Sequence, residues 1–299
     1  MTKEKQKAHA AHSANYLSVS ALDCLIKQAR SDGERNRYYE IINEIISESR
    51  LRTVFHVPHD GNIFPDELMS AVTISAPRFI AYHNAMRDWG VRMLIPEIPR
   101  SEVVAFEVSR LLCDVERFTG GSEIMEKYGM GYCYEKAYDG TIIKTVSTEL
   151  KEKTLKYYKA HHFEVDEVVS RYRDRTLFID LHSFSEDIIV EDMKSEIKKI
   201  PDVCLGYDEK HCPRVLCEIA KNQFIGAGFS VEVNYPYSGS FVPDRILKGD
   251  ESTPLASIMI EINKSRLTER KKRTADSIAL ERAILMMVAH YSQVADLDN

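Results

Sequence analysis

The stretch Thr176–Leu181, TLFIDL, followed by His182, Ser183 and Phe184, decides the fold. Its apolar residues run without polar alternation. That pattern means burial on both faces, as in a central parallel strand. Downstream, Val203–Leu205, Phe229–Val233 and Ser257–Ile262 (SIMIEI) repeat the signature. Upstream, Thr53–Val57 (TVFHV) is a short strand stopped by Pro58 and Gly61, and Val91–Ile95 is another, between Gly90 and Pro96. Ser109–Val115 (SRLLCDV) reads as a third. Helical periodicity separates them, from about Pro77 to Trp89, Leu150 to Arg173, Arg214 to Ile225 and Ala275 to Val294. Strands alternating with helices predict an α/β fold, a central mixed sheet flanked by helices on both faces.

Residues 119–148 hold several glycines and aromatics and read as a compact loop or hairpin insertion. Residues 1–50 carry apolar residues three and four apart, so they read as a peripheral N-terminal helical extension. Residues 51–299 then form a single α/β domain, with no repeat, linker or low-complexity stretch to divide it.

A chain of 299 residues buries roughly three quarters of its unfolded surface and folds without disulfides or structural metal. Its net charge is −6 and its pI about 6.0. That balance argues against a nucleic-acid binder, and the basic run at residues 266–273 (RLTERKKR) reads as a solvated helix flank. None of the six cysteines forms a C-x-x-C pair, which argues against a zinc ribbon or redox site and suits a reducing cytoplasm. Cys113, Cys204 and Cys217 read as core thiols. The N-terminus lacks a secretory h-region, and no apolar run is long enough to span a membrane.

Ligands bind beyond the strand ends of open α/β sheets. After TVFHV come Pro58, His59, Asp60, Gly61 and Asn62, and after TLFIDL comes His182. A lone histidine reads as a hydrogen-bonded rim residue. Two at two strand ends, each with an acidic neighbour, point to a metal, and imidazole plus carboxylate suits zinc. Asp180 shares a strand face with His182 and can orient it. The run SRLLCDVERF leaves the core for a charged tip carrying Arg110, Asp114, Glu116 and Arg117, and arginine there suits carboxylate recognition. Glu261 sits inside SIMIEI, where it either transfers protons or pairs with a cation such as Lys264.

The chain resembles the N-formylglutamate amidohydrolase family, related in fold to zinc carboxypeptidases and to the succinylglutamate desuccinylase and aspartoacylase group. The likeness spans about residues 53–270. It rests on VPHDGNIFP, SRLLCDVERF, MEKYGMGYCY, YYKAHH, IDLHSFSE, DVCLGYDEKHCP, GFSVEVNYPYSGSFVP and MIEINKS, in that order. The resemblance implies a phosphorylase/hydrolase-like fold, one zinc ion per chain and hydrolysis of a small N-acyl amino acid, N-formyl-L-glutamate first. It implies that His59 and His182 are ligands, Glu261 the proton carrier, Arg110 the oxyanion holder and Arg117 the carboxylate grip. His162, His211, Asn234 and Tyr237 are expected to line the pocket.

Two departures matter. Where relatives place a glutamate ligand three residues after the first histidine, this chain has Asn62. Where relatives read D-x-N-R, it has Asp114-Val115-Glu116-Arg117. Glu116 is the expected third ligand, with Asp60 and Asp114 as rivals. A metallopeptidase or amidase for small peptides or cell-wall fragments, and a non-catalytic binder that kept the fold, are the alternatives.

Overall fold

The computed structural model describes residues 18–171, 173–188, 200–250, 252–267 and 273–295. Residues 1–17 of the N-terminal extension and 268–272 of the basic run lie outside them. Six strands form one sheet: β1 Arg52–Val57, β2 Ser101–Ala105, β3 Thr176–Phe184, β4 Val203–Gly206, β5 Val231–Val233 and β6 Leu255–Asn263. Their order is β2-β1-β3-β6-β4-β5, and every pairing is parallel except β4 with β6. The sheet is therefore mixed, as expected. The eight-residue-plus helices are α1 Val19–Gln28, α2 Asp32–Glu48, α3 Ala76–Met86, α4 Thr148–Ser170, α5 Arg214–Gly226 and α6 Ala275–Val294. Among the described residues no helix is long and apolar enough to cross a membrane.

Strand alternation assigns the two faces different chemistry. Phe55, Val57, Leu177, Ile179, Leu181, Ile258, Ile260 and Ile262 point to one side. There they share a core with Leu22 of α1, Ile42 and Ile46 of α2, Phe224 of α5 and Leu280 and Ile284 of α6. The other face carries Val54 and Phe178 against Val165 and Val169 of α4. By the same period of two it also carries His56, Asp180, His182 and Glu261. The parallel register sets His56 opposite Asp180 and His182 opposite Glu261. The polar groups thus collect at one end of one face, over α4 and the segment from 106 to 146.

The structure corrects two strand expectations and adds a strand. Residues 91–94 form a 3₁₀ turn: Gly90 enters at φ 89°, and Val91 and Leu94 bury themselves at a spacing of three. The strand lies at Ser101–Ala105 instead. It is a sheet edge, with Val103 half exposed, so it lacks the continuous apolar run that marks central strands. Residues 109–115 are turns rather than strand. Leu112 N and Cys113 N both donate to Ser109 O, and Asp114 N donates to Tyr132 O. In a strand, Arg110 and Asp114 would stand about 13 Å apart. In the turn their side chains meet at 2.9 Å.

Candidate metal centre and active site

His59 follows β1 in a turn that only glycine permits. A Cβ on Gly61 would come within 2.5 Å of the Glu107 carbonyl carbon. That close approach lets Ile63 N donate to Glu107 O at 2.8 Å, which fixes the loop carrying His59. Helix α3 ends at Met86, Arg87 turns extended, and Asp88 N donates to His59 O at 3.0 Å. Asp88 is thereby drawn under the imidazole, 2% exposed. The sequence reading ran the helix on to Trp89 and did not single out Asp88.

His59 and His182 face each other through Nδ1 at 3.3 Å. Asp88 Oδ2 lies 3.0 Å from His182 Nδ1 and 3.7 Å from His59 Nδ1. On the outer side, His59 Nε2 meets Asp114 Oδ1 at 2.9 Å. His182 Nε2 lies 3.1 Å from Asp180 Oδ1 and 3.3 Å from Glu116 Oε1, yet makes no hydrogen bond of good geometry. Glu116 Oε2 is 3.5 Å from His59 Nε2. His59, Glu116 and His182 therefore form one group able to hold a metal ion, and His56, Glu116 and Asp180 form a second. Behind them, His56 Nδ1 donates to Asp180 Oδ1 at 2.8 Å, and its Nε2 meets His161 Nε2 at 2.8 Å. Phe241 N donates to the other oxygen of Asp180.

The residues fit a divalent ion. Tetrahedral zinc bound by two imidazoles holds their nitrogens about 3.3 Å apart. Five carboxylates, Asp88, Asp114, Glu116, Asp180 and Glu261, gather around two guanidiniums, Arg110 and Arg117. Buried negative charge in that excess calls for further cations. Burial opposes ionisation of Asp88, but His182, His59 and Arg110 outweigh it and hold the carboxyl well below the usual range. Burial likewise opposes the charge on Asp114, and His59, Arg110 and Arg117 hold it ionised.

Glu261 behaves differently. Burial pushes its carboxyl up to about 7; His182 and Arg110 pull against that, and Asp88 and Glu116 add to it. Its Oε2 is buried without a hydrogen-bond partner. A carboxyl poised near neutrality beside the His182 imidazole can accept and return a proton. Lys264, the cation considered for it from sequence, donates to Ala85 O at 2.9 Å.

Arg110 Nη2 bonds Asp114 Oδ2 at 2.9 Å and Nη1 reaches Asp88 Oδ1 at 3.4 Å. Tyr134 OH also donates to Asp114, at 2.8 Å. Arg117 is looser: its Nε lies 3.8 Å from Asp114 Oδ2 and has no hydrogen bond. Both arginines line a cavity of about 570 Å³ with His59, His182, Glu116, Glu261, His162, His211 and Tyr237. His162 stacks on Tyr158 at 4.1 Å and donates Nε2–H to Val115 O at 2.8 Å. His211 Nδ1 sits 3.0 Å from Asp208.

Two polar groups considered for the site, Asn234 and Asp60, stand elsewhere, as does Asn62. Asn234 is not among the lining residues. Its backbone takes φ 52°, and its Oδ1 accepts from Tyr207 N and Gly239 N, so it shapes the loop behind the cavity. Asn62 is exposed and its Oδ1 meets His83 Nε2 at 3.1 Å. Asp60 turns away to ion pairs with Arg87 at 2.7 Å and Arg92 at 3.4 Å.

The N-formylglutamate amidohydrolase crystal structure from Ralstonia eutropha JMP134 aligns with a TM-score of 0.65 at 19% identity, over 83% of this chain and 95% of that one. A gene product, Atu2144, from Agrobacterium tumefaciens aligns with a TM-score of 0.58 at 17% identity, over 85% and 94%. At such identities the two likenesses speak for the fold. A search of curated proteins found no match. The family model described as N-formylglutamate amidohydrolase matches residues 51–267, well over half of the chain. The chain therefore belongs to the N-formylglutamate amidohydrolase family, hydrolases of C–N bonds other than peptide bonds.

Proposed function

We propose that this protein hydrolyses the amide bond of an N-acyl amino acid with one bound divalent ion, zinc by its donor chemistry, N-formyl-L-glutamate being the first compound to test. The observation that carries this reading is the approach of His59 and His182 to 3.3 Å beside an unpartnered Glu261 oxygen. An ion held there supplies Lewis acidity and makes hydroxide available at neutral pH. Glu261 takes the proton from the attacking water at Oε2 and returns it to the leaving amine. Arg110, fixed by Asp114 and Asp88, presents its guanidinium to the oxygen of the scissile carbonyl, where negative charge develops. Arg117 holds the substrate carboxylate. A reducing, cytoplasmic setting belongs to the same proposal and rests on the unpaired cysteines.

Two carboxylates compete for the third ligand place. A ligating imidazole offers one nitrogen to the ion and donates the other N–H to a carboxylate. His59 Nε2 already meets Asp114 and His182 Nε2 faces Asp180, which leaves both Nδ1 atoms and Asp88 around the ion. The second reading keeps Glu116, as expected from sequence, and is favoured by the poor hydrogen-bond geometry of His182 Nε2. Zinc affinity separates them. The first reading expects Asp88→Asn to lose tight binding and Glu116→Gln to keep it, and the reverse pattern establishes the second. Removal and return of metal should abolish and restore formate release. Full activity in the stripped protein refutes metal dependence.

A further inference from the structure

The neighbours His161 and His162 on α4 face different ways. His162 lines the cavity. His161, 3% exposed, turns instead to the sheet and meets the fully buried His56 of β1, Nε2 to Nε2 at 2.8 Å. The two rings stack with centroids 5.1 Å apart. Phe106 packs on His161, and Phe178 and Phe241 pack on His56. In such an apolar enclosure a ring nitrogen without a partner is costly.

Counting protons fixes the direction of the contact. Burial opposes ionisation of Asp180, but His182 and His56 hold its carboxyl well below the usual range, so it only accepts hydrogen bonds. It accepts from Phe241 N on Oδ2 at 3.0 Å and from His56 Nδ1 on Oδ1 at 2.8 Å. His56 Nδ1 therefore carries a proton. One further proton lies between the two Nε2 atoms, since two bare nitrogens or two N–H groups repel at 2.8 Å. A charged His56 would add positive charge beside a bound divalent ion, the largest charge in such a site. A neutral His56 leaves its Nε2 bare, and His161 supplies the proton.

We infer that His161 is a positioning residue for the metal centre. Its Nε2–H holds His56, His56 holds Asp180, and Asp180 Oδ1 stands 3.1 Å from His182 Nε2. The chain runs from α4 through β1 to β3 and ties the setting of His182 to the packing of α4 on the sheet. Carboxylates that face ligating imidazoles fix the ring, and their loss weakens metal binding. The inference rests on the metal reading above. It holds for either third ligand, because the chain ends beside His182 in both.

The test measures zinc affinity of the full chain by competition with a chromogenic chelator. His161→Phe keeps an aromatic ring and removes the donor, so affinity should fall about three- to tenfold, the worth of one hydrogen bond. His161→Gln places an amide N–H near the same point and should restore affinity to within about threefold of wild type. In a His56→Phe background the chain is already cut, so His161→Phe should add less than about twofold. A merely structural role would add its full loss there. Unchanged affinity in His161→Phe, a glutamine as weak as phenylalanine, or full additivity overturns the inference. Nitrogen NMR of the chain with isotope-labelled histidines reads the contact without metal or substrate. It should show coupling across the hydrogen bond between His161 and His56, with the proton on His161. Should the wild-type chain bind no zinc, the metal reading fails, while that coupling still upholds the hydrogen-bond chain. No coupling, or the proton on His56 Nε2, overturns it.

Discussion

Glu261→Gln removes one ionisable oxygen and leaves the side-chain volume nearly unchanged. Glu261 is 8% exposed on β6, directly across the sheet from His182, and its carboxyl is pushed up to about 7 by burial. A positioned general base contributes about 10²- to 10⁴-fold. That corresponds to roughly 3–5 kcal/mol of barrier at 1.36 kcal/mol per decade. The variant should therefore lose about 10²- to 10⁴-fold in kcat/KM with KM little changed. The sign of the pH dependence follows from the role. The base works only when deprotonated, so wild-type kcat/KM falls as pH drops below the carboxyl's pKa. A bound cation pulls that pKa down, which sets the inflection at or below about 7. The variant should lack this acidic limb. Formate release measured from pH 5 to 9, with metal content measured in parallel, reads all of this. Activity within about threefold of wild type, or an unchanged acidic limb, refutes the proton role. Loss of metal together with activity assigns Glu261 to ion binding instead.

The other predictions concern the surroundings. Arg117→Ala should raise KM by roughly ten- to a hundredfold, the worth of hydrogen bonds to a charged group, with kcat less affected; steady-state kinetics check it, and an unchanged KM rules out the carboxylate grip. Gly61→Ala forces a Cβ against the 106–107 backbone, so the melting temperature should fall by the equivalent of about 1–3 kcal/mol; an unchanged melt contradicts the close approach. His56→Phe keeps the ring but removes the hydrogen bond to Asp180, the carboxylate that faces His182. Zinc affinity, measured by competition with a chromogenic chelator, should fall about 10- to 100-fold, and unchanged affinity shows that Asp180 needs no such support.

The central strands were legible in the sequence because burial on both faces writes continuous apolar runs, as in TLFIDL and SIMIEI. The polar interruptions in those runs, Asp180 and Glu261, proved to share one sheet face with His182, as the period of two requires. The edge strand at Ser101–Ala105 was illegible because an edge buries only part of its surface. Arg110 and Asp114 were found as residues but placed on a strand, since a turn with apolar Leu111, Leu112 and Cys113 writes the same pattern as a strand. Asp88 escaped for a related reason. Its burial comes from the backbone bond to His59 O, a contact 29 residues apart in the chain that no local pattern records. Asn234 misled because a polar residue in a Pro- and Gly-rich loop serves the turn as readily as the pocket.

The claim on which everything else rests is an ion held between His59 and His182. Zinc content of the purified full chain, measured by inductively coupled plasma mass spectrometry beside His59→Ala and His182→Ala, tests it most directly. The account predicts about one ion per wild-type chain and almost none in either variant, with the fold retained by circular dichroism. Equal metal in all three proteins, or a wild-type chain that hydrolyses substrate while holding none, contradicts it.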